Sequence, residues 1–481
     1  MVDFAQFKRE TLRYLRKNWE YKIAIFVILY YVVSNIILET THTFREIGLN
    51  NRLRVLPIEV IQYYDKSREI GDDGLNPEKF AYMQYATNYE YLNLAVMNFI
   101  VLKRSGTKVE NFVILYDQQL HHADHDIWNR MFHLANRNGI HLKPVPLLTA
   151  RFSDESSWSG SFTKFHIFNQ LEFDRVVFFD SDSMLINIPR EGDLNLETLH
   201  NAYGNLDELF KLPKEIRFAL PQAYWLNNAV EGKEYHKFNK KLEIPNDKRY
   251  KLRLRKLVSD IIRLNDPSQE FELLPTLVYE HHKFDNFDDF FANHVMVFTP
   301  SKDIFNSLMK YLYNPWWWHI FSRSSLKQKK DYDMEIMNKY LNDQLRSHQD
   351  IKIGILPHRV YGVLTGEFKE EWHKRFVVEP QYLPFIQKKD KNDGWNAMEV
   401  FKQIRLIHFS DAPIPKPWED QDNLHYYNSF KIACENDSKE EFEKTYPEWK
   451  PRLTSDCDSV DIWNWYREEF KILQKDFWIL G

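Results

Sequence analysis

Two cysteines, Cys434 and Cys457, are all that this chain of 481 residues contains. So few exclude a disulfide scaffold and a cysteine-rich zinc site. The pair closes one loop if the C-terminal part lies in an oxidising compartment; otherwise it is two unrelated thiols. An excess of one charge is missing too. The 64 basic residues face 69 acidic ones for a formal charge of -5, without the basic surplus that nucleic-acid binding needs, so no nucleic-acid partner is expected. Internal repeats and low-complexity tracts are absent. What the chain does have is apolar mass, 43% hydrophobic and 16% aromatic residues, enough for a sizeable core. Its length suits either several domains or one large α/β body with insertions.

One uncharged apolar run occurs, from Ile23 to Leu38 (IAIFVILYYVVSNIIL). It is shorter than the roughly 20 residues of an average membrane span, but Tyr21 and the stem of Lys22 extend it. Lys8, Arg9, Arg13, Arg16, Lys17 and Lys22 precede it, whereas Glu39, Arg45 and Glu46 follow. The positive-inside rule then predicts a cytosolic tail at 1–22, a single-pass signal anchor at 23–38 and a lumenal remainder, the type II topology of a Golgi membrane enzyme. No small-x-small site follows the run, which disfavours a cleaved signal peptide. The polar segment 39–78 reads as a stem.

From Phe80 the pattern is α/β. Strand-like Phe80–Ala86, helical Tyr89–Lys103 and the buried strand Phe112–Tyr116 make a βαβ unit, and a helix at Asp126–Asn138 with a strand at His141–Lys143 repeats it. The expectation is an open parallel sheet over residues 79–481. The stretch at about 201–287, rich in Pro, Asn and charge and containing the basic run Lys248–Lys256, reads as an insertion.

Candidate chemistry begins with Val176-Val177-Phe178-Phe179-Asp180-Ser181-Asp182, a buried strand ending in two carboxylates. D-x-D alone says little, since Asp124/Asp126, Asp331/Asp333, Asp420/Asp422 and Asp456/Asp458 repeat it; only Asp180/Asp182 comes directly off a long apolar run. Two hard oxygen ligands there suit Mn²⁺ or Mg²⁺, which can neutralise a diphosphate. The bland alternative is a turn whose aspartates cap amides. Arg405–Asp411 delivers His408 off a strand-like run, and Lys416 follows among prolines; imidazole suits Mn²⁺ and an ammonium suits a diphosphate. Lys164, on a helix-like segment before the Asp180 strand, needs a partner if it is buried.

In combination these segments resemble the glycogenin-like retaining glycosyltransferases of family 8, from about Lys79 to Trp418. The resemblance implies a GT-A fold, which is Rossmann-like, and a UDP-sugar donor. It implies nucleotide contacts at Thr87, Asn88 and Tyr91, a donor-binding Lys164, metal ligands Asp180, Asp182 and His408, and a diphosphate contact from Lys416 of Lys416-Pro417-Trp418. Phe291–Ser301 is similar to the family strand containing N-S-G, with Ala292-Asn293-His294 in its place. Asp331-Tyr332-Asp333 is similar to the segment holding a D-Q pair, but Met334 replaces the Gln, leaving Asp333 to act on the donor sugar. Within the family, Lys79–Tyr82, Phe168–Gln170, Phe173–Val176, Tyr332–Met334, Tyr361–Gly366 and Ile407–Asp411 resemble the fungal glucose N-acetyltransferases. That likeness implies UDP-N-acetylglucosamine as donor, α-linked transfer to mannose-containing glycans, and Golgi residence. The alternatives are a catalytically silent, glycan-binding lumenal scaffold, or a UDP-glucose or UDP-galactose transferase of the same fold.

Overall fold

The computed structural model describes residues 22–34, 53–71, 75–149, 159–189, 192, 194–223, 291–313, 331–346, 351–365, 396–409, 416–419, 444 and 457–480. The chain divides into two compact units, Met1–Arg52 and Leu53–Gly481. In the first, residues 22–34 are helical and exposed, Phe26 at 70% and Tyr30 at 68%. Among the described residues no helix is long and apolar enough to cross a membrane. Residues 1–21 and 35–38, which complete the expected tail and anchor, lie outside the described residues.

The second unit is built on an eight-stranded sheet. Its strands are β1 (Leu53–Val55), β2 (Phe80–Ala86), β3 (Asn111–Asp117), β4 (His141–Val145), β5 (Arg175–Phe179), β7 (Ile216–Leu220), β8 (Val295–Phe298) and β9 (Lys352–Ile355). They lie side by side in the order β1-β9-β7-β8-β5-β2-β3-β4. β5 is buried along its whole length, which accounts for its unbroken apolar run where an alternating strand would carry polar positions. One face of the sheet packs against α1 (Ile58–Ser67), α2 (Tyr89–Arg104) and α3 (His125–Arg137) through Tyr82, Phe112, Val177 and Phe179. The other meets a 3₁₀ helix, Ser161–Asn169, whose Phe168 ring lies 4.5 Å from that of Phe298.

Helix starts follow the chemistry of the sequence. The Asn88 side chain caps α2 by accepting from Tyr91 N at 2.8 Å, and Asp124 caps α3 by accepting from Ile127 N at 2.9 Å. Asp124 of that D-x-D pair is thus a cap.

Three expectations need correction. The sheet is mixed, because β8 runs antiparallel to both β5 and β7. Gln222 and Phe291 pair antiparallel just outside it, so the chain leaves and re-enters at one edge and the returning strand must reverse. Residues 53–78 are not stem. β1 pairs with β9, and Leu56, Val60 and Ile61 are fully buried; Gly354 of β9 leaves the space that Leu56 fills, since a Cβ there would stand 2.4 Å from Leu56 Cδ1. Their polar neighbours hid this edge. Residues 201–223 are not insertion either: Phe210 and Phe218 are fully buried, and the charges that broke the pattern serve buried tyrosines. Tyr82 donates to Asp207 at 2.6 Å and Tyr361 to Glu208 at 2.8 Å. Residues 224–287, with the basic run, lie outside the described residues.

A second, three-stranded sheet joins β6 (Ser183–Leu185), β10 (Val363–Leu364) and β11 (Leu406–His408) in the order β10-β11-β6. Behind it packs a helix absent from the sequence reading, Val460–Phe477, through Trp465, Tyr466 and Phe470. Cys457, just before this helix, is disulfide-bonded; Cys434, the other cysteine of the chain, lies outside the described residues.

Candidate active site

The strand order places a topological switch at β2. The chain passes from β2 outward to β3 and β4, then returns to add β5 on the opposite side of β2 in parallel. In open α/β sheets the crevice beyond the carboxyl ends of strands at such a point receives ligands. Here β2 ends at Thr87-Asn88 and β5 at Asp180-Ser181-Asp182. Asn98 of α2 donates to Ser181 O at 2.9 Å and fixes the turn between the two aspartates.

Seven of the nine expected residues gather in two adjacent clusters of charge. Lys164 Nζ stands 3.0 Å from Asp180 Oδ1 and 2.8 Å from Asp333 Oδ2. Asp182 faces His408 Nε2 at 3.2 Å and Lys416 Nζ at 2.9 Å, and Lys416 also donates to the Tyr91 hydroxyl at 3.1 Å. Thr87 and Asn88 lie at the mouth of the same crevice, Asn88 as the α2 cap and Thr87 against Gly160, where a Cβ would meet Thr87 Cγ2 at 3.2 Å. Asp182 belongs to both sheets in effect, since its carbonyl accepts from Phe409 N at 2.9 Å beside the β6–β11 pairing.

Four further residues complete the site. Asn293 donates to Asp333 Oδ2 at 2.8 Å and holds its own Oδ1 3.4 Å from Lys164 Nζ. Tyr85 lays its ring 5.6 Å from Lys164 Nζ. Trp418, fully buried between Phe409 and Phe470, carries the Lys416 turn. His294 stacks on His408 with centroids 5.1 Å apart. Tyr85 lay in the predicted β2, whose near-continuous burial leaves no periodic signal to single it out; the other three sat in segments singled out for other reasons.

Burial and pairing pull against each other at each ionisable group. Burial pushes the Asp180 carboxyl up to about 6; Lys164 and His408 oppose this while Asp182 and Asp333 add to it. Burial acts the same way on Asp182, but His408 and Lys416 outweigh it and hold that carboxyl well below the usual carboxylate range. For Lys164 and Lys416 burial acts downward and is outweighed, by Asp180 and Asp333 in one case and by Asp182 and Tyr91 in the other, so both stay protonated. Three carboxylates therefore meet two ammonium groups. The aspartate and lysine side chains alone sum to one surplus negative charge, a balance that a divalent cation would reverse.

The residues fit such an ion. Among the described residues, Asp180, Asp182 and His408 are the one group of three whose ligand atoms lie within 4.8 Å of one another. Among the described residues, His408 Nδ1 is buried without a hydrogen-bond partner. Two carboxylates and an imidazole are a donor set for Mn²⁺ or Mg²⁺ more than for a thiophilic metal.

Comparison with known proteins places these residues among close relatives. The chain is 55% identical over 471 residues to glucose N-acetyltransferase 1 of Candida albicans, covering 98% of this chain and 99% of the relative. It is 42% identical over 468 residues to the protein of the same name in Debaryomyces hansenii, covering 96% and 97%. The Saccharomyces cerevisiae protein of that name is 26% identical over 392 residues, 71% of this chain and 72% of its own. No protein-family model matches the sequence. Among solved structures, galactosyltransferase LgtC with donor and acceptor sugar analogues aligns with 83% of this chain and 97% of its own at 10% identity and a TM-score of 0.37, a likeness too distant to speak for this chain.

The raised Asp180 gives a pH signature. Its proton is held more tightly in the folded than in the unfolded chain, so its stabilising contribution is complete below the unfolded value and is lost as pH rises through about 6. In EDTA the melting temperature should fall as pH rises from about 5 to 6 and level off by about 7, with a slope from this group of at most about 1.4 kcal/mol per pH unit. Asp182, already ionised throughout that window, adds no slope. Asp180→Asn should flatten the fall; a slope unchanged by that substitution would show that Asp180 does not hold the proton.

Proposed function

The chain belongs to the glucose N-acetyltransferase 1 family, and on that premise we propose that it is a GT-A-fold glycosyltransferase. It moves N-acetylglucosamine, with retention, from UDP-N-acetylglucosamine to mannose residues of a glycan. The observation that carries this reading is the Asp180–Asp182–His408 group, with its surplus negative charge, at the switch-point crevice. The relatives' shared name supports the transferred group, and the donor nucleotide, linkage and acceptor rest on the family resemblance.

The chain's own residues then divide the work. Thr87, Asn88 and Tyr91 border the crevice where a uridine would enter, between the ends of β2 and β5. Asp180, Asp182 and His408 are the ligands of the proposed divalent cation, which when bound supplies Lewis-acid neutralisation of a leaving diphosphate. Lys416 is held over the Tyr91 ring, 5.5 Å from its centroid, and offers its ammonium to the same diphosphate as a point charge. Lys164, Asp333 and Asn293 form a buried donor and acceptor array suited to sugar hydroxyls, whose groups must be hydrogen-bonded once water is excluded.

For location, the basic flank before residues 23–38 supports a single-pass type II anchor in the Golgi membrane with the catalytic unit lumenal. The disulfide at Cys457 supports an oxidising compartment, since such bonds are rare in the cytosol.

Three measurements test this reading. With Mn²⁺ and mannoside acceptors, UDP-N-acetylglucosamine should outpace UDP-glucose and UDP-galactose. Asp180→Asn, Asp182→Asn and His408→Ala should each cut transfer by a factor on the order of 100 or more, whereas Asp124→Ala should cost about 1 kcal/mol of stability as a lost cap and leave turnover intact. Faster transfer from UDP-glucose overturns the donor assignment, and Mn²⁺-dependent turnover surviving in both aspartate variants overturns the metal assignment. Protease added to sealed vesicles should spare the catalytic unit until detergent is present; digestion without detergent refutes the topology.

A further inference from the structure

His408 is an unusual ligand candidate in one respect. A metal-binding imidazole is ordinarily held in orientation by a hydrogen bond from its second ring nitrogen, yet among the described residues His408 Nδ1 is buried with no hydrogen-bond partner. Rotation of the ring is therefore not fixed by a polar contact on that side. What lies against it is another ring: His294 stacks on His408 at 5.1 Å between centroids and 25° between planes.

His294 is itself fixed from several sides. It is 4% exposed. Its carbonyl accepts from Asp180 N at 2.9 Å, so its backbone continues the β5–β8 pairing up to the first carboxylate of the group. Its ring hydrogen-bonds the Tyr361 backbone, in the turn His358–Gly362 that leads into β10, whose Leu364 pairs with His408. One residue thus touches both halves of a ligand group that is divided between the two sheets. The glycogenin-like pattern has a glycine at this position, with no ring to offer.

We propose that His294 is a positioning residue for His408: its anchored ring provides the flat face that holds the His408 imidazole edge-on toward Asp182 and the metal, in place of the missing second-nitrogen hydrogen bond. An offset ring pair of this spacing is favourable beyond the area it buries. The inference rests on the metal reading of Asp180, Asp182 and His408.

Two substitutions of similar volume separate the ring from its hydrogen bond. His294→Gln keeps a donor for the Tyr361 backbone and loses the ring; His294→Phe keeps the ring and loses the donor. The measurement is Mn²⁺ binding to the purified protein with UDP present, by titration calorimetry, alongside metal-free thermal melts. His294→Gln should weaken Mn²⁺ binding by about tenfold, as outer-shell partners of metal ligands do. His294→Phe should stay within about threefold of the unsubstituted protein, because the stacked face is retained. Equal Mn²⁺ affinity in His294→Gln overturns the proposal, whether or not its melting point falls, since a residue that matters only to folding would shift the melt alone. Loss of affinity in both variants also overturns it, because the hydrogen bond and not the ring would then be the positioning contact. If the unsubstituted protein binds no Mn²⁺ while His408→Ala leaves its melt unchanged, the metal reading itself has failed and the inference falls with it.

Discussion

Burying three carboxylates in one crevice is what the rest of the catalytic unit must accommodate. An ionised carboxylate removed from water without a partner costs several kcal/mol, and here Asp180 and Asp333 share Lys164 while Asp182 pairs with His408 and Lys416. Lys164 and Lys416 are the partners that make this tolerable. Each bridges elements far apart in the chain: Lys164 joins the 3₁₀ helix to the end of β5 and to the helix beginning at Asp333, and Lys416 joins the turn before Trp418 to Asp182 and α2. Removing either ammonium would leave buried charge uncompensated, so each lysine ties the segments it bridges to the crevice.

The fold delivers these groups by two routes. The large sheet sets the aspartates at a strand end beside the turn after β2. The small sheet, backed by the helix Val460–Phe477, brings His408 and the Lys416 turn across to meet them. Trp418 is the anchor of that second route. It is fully buried, its indole donates to Glu90 Oε1 at 3.2 Å, and its ring packs 5.6 Å from Phe470. The C-terminal chain is tied down in turn, because Asn93 of α2 donates to Phe477 O at 3.0 Å and accepts from Ile479 N at 2.9 Å. The Lys416 position thus depends on residues some fifty positions further along the chain.

Where local pattern and tertiary role coincide, the sequence was legible. The run before Asp180 is apolar because β5 is buried on both faces, and that same burial makes two terminal aspartates informative. β2 and β3 were plain as short, mostly apolar runs, and α2 and α3 as longer helical ones begun by the capping residues Asn88 and Asp124. Legibility failed where polar residues serve the interior. Asp207 and Glu208 looked like insertion surface, yet they receive the hydroxyls of Tyr82 and Tyr361. Arg175 looked like a strand-start charge; it is buried and donates to the carbonyls of Phe210, Leu212 and Pro213, which clamps the segment wrongly assigned to the insertion. The helix Val460–Phe477 was missed although Ile462, Trp465, Tyr466, Phe470 and Leu473 follow a helical period, because the chemistry-bearing motifs end at Trp418. The site was foreseen largely through family resemblance. Composition and spacing alone left Asp180 and Asp182 open to a capping role, and no pattern in the sequence could show that Lys164 and Asp333 meet, since that contact joins segments far apart in the chain.

The central claim is that Asp180, Asp182 and His408 together hold a divalent cation against the donor's diphosphate. It is tested most directly by a crystal structure of the protein with Mn²⁺ and UDP, with diffraction collected at the manganese absorption edge. The account predicts one anomalous peak at coordination distance, about 2.0–2.3 Å, from an oxygen of each aspartate and a nitrogen of His408, with Lys416 turned from Asp182 toward the diphosphate. UDP bound in the crevice with no manganese peak among these three side chains, or with the peak elsewhere, would contradict it.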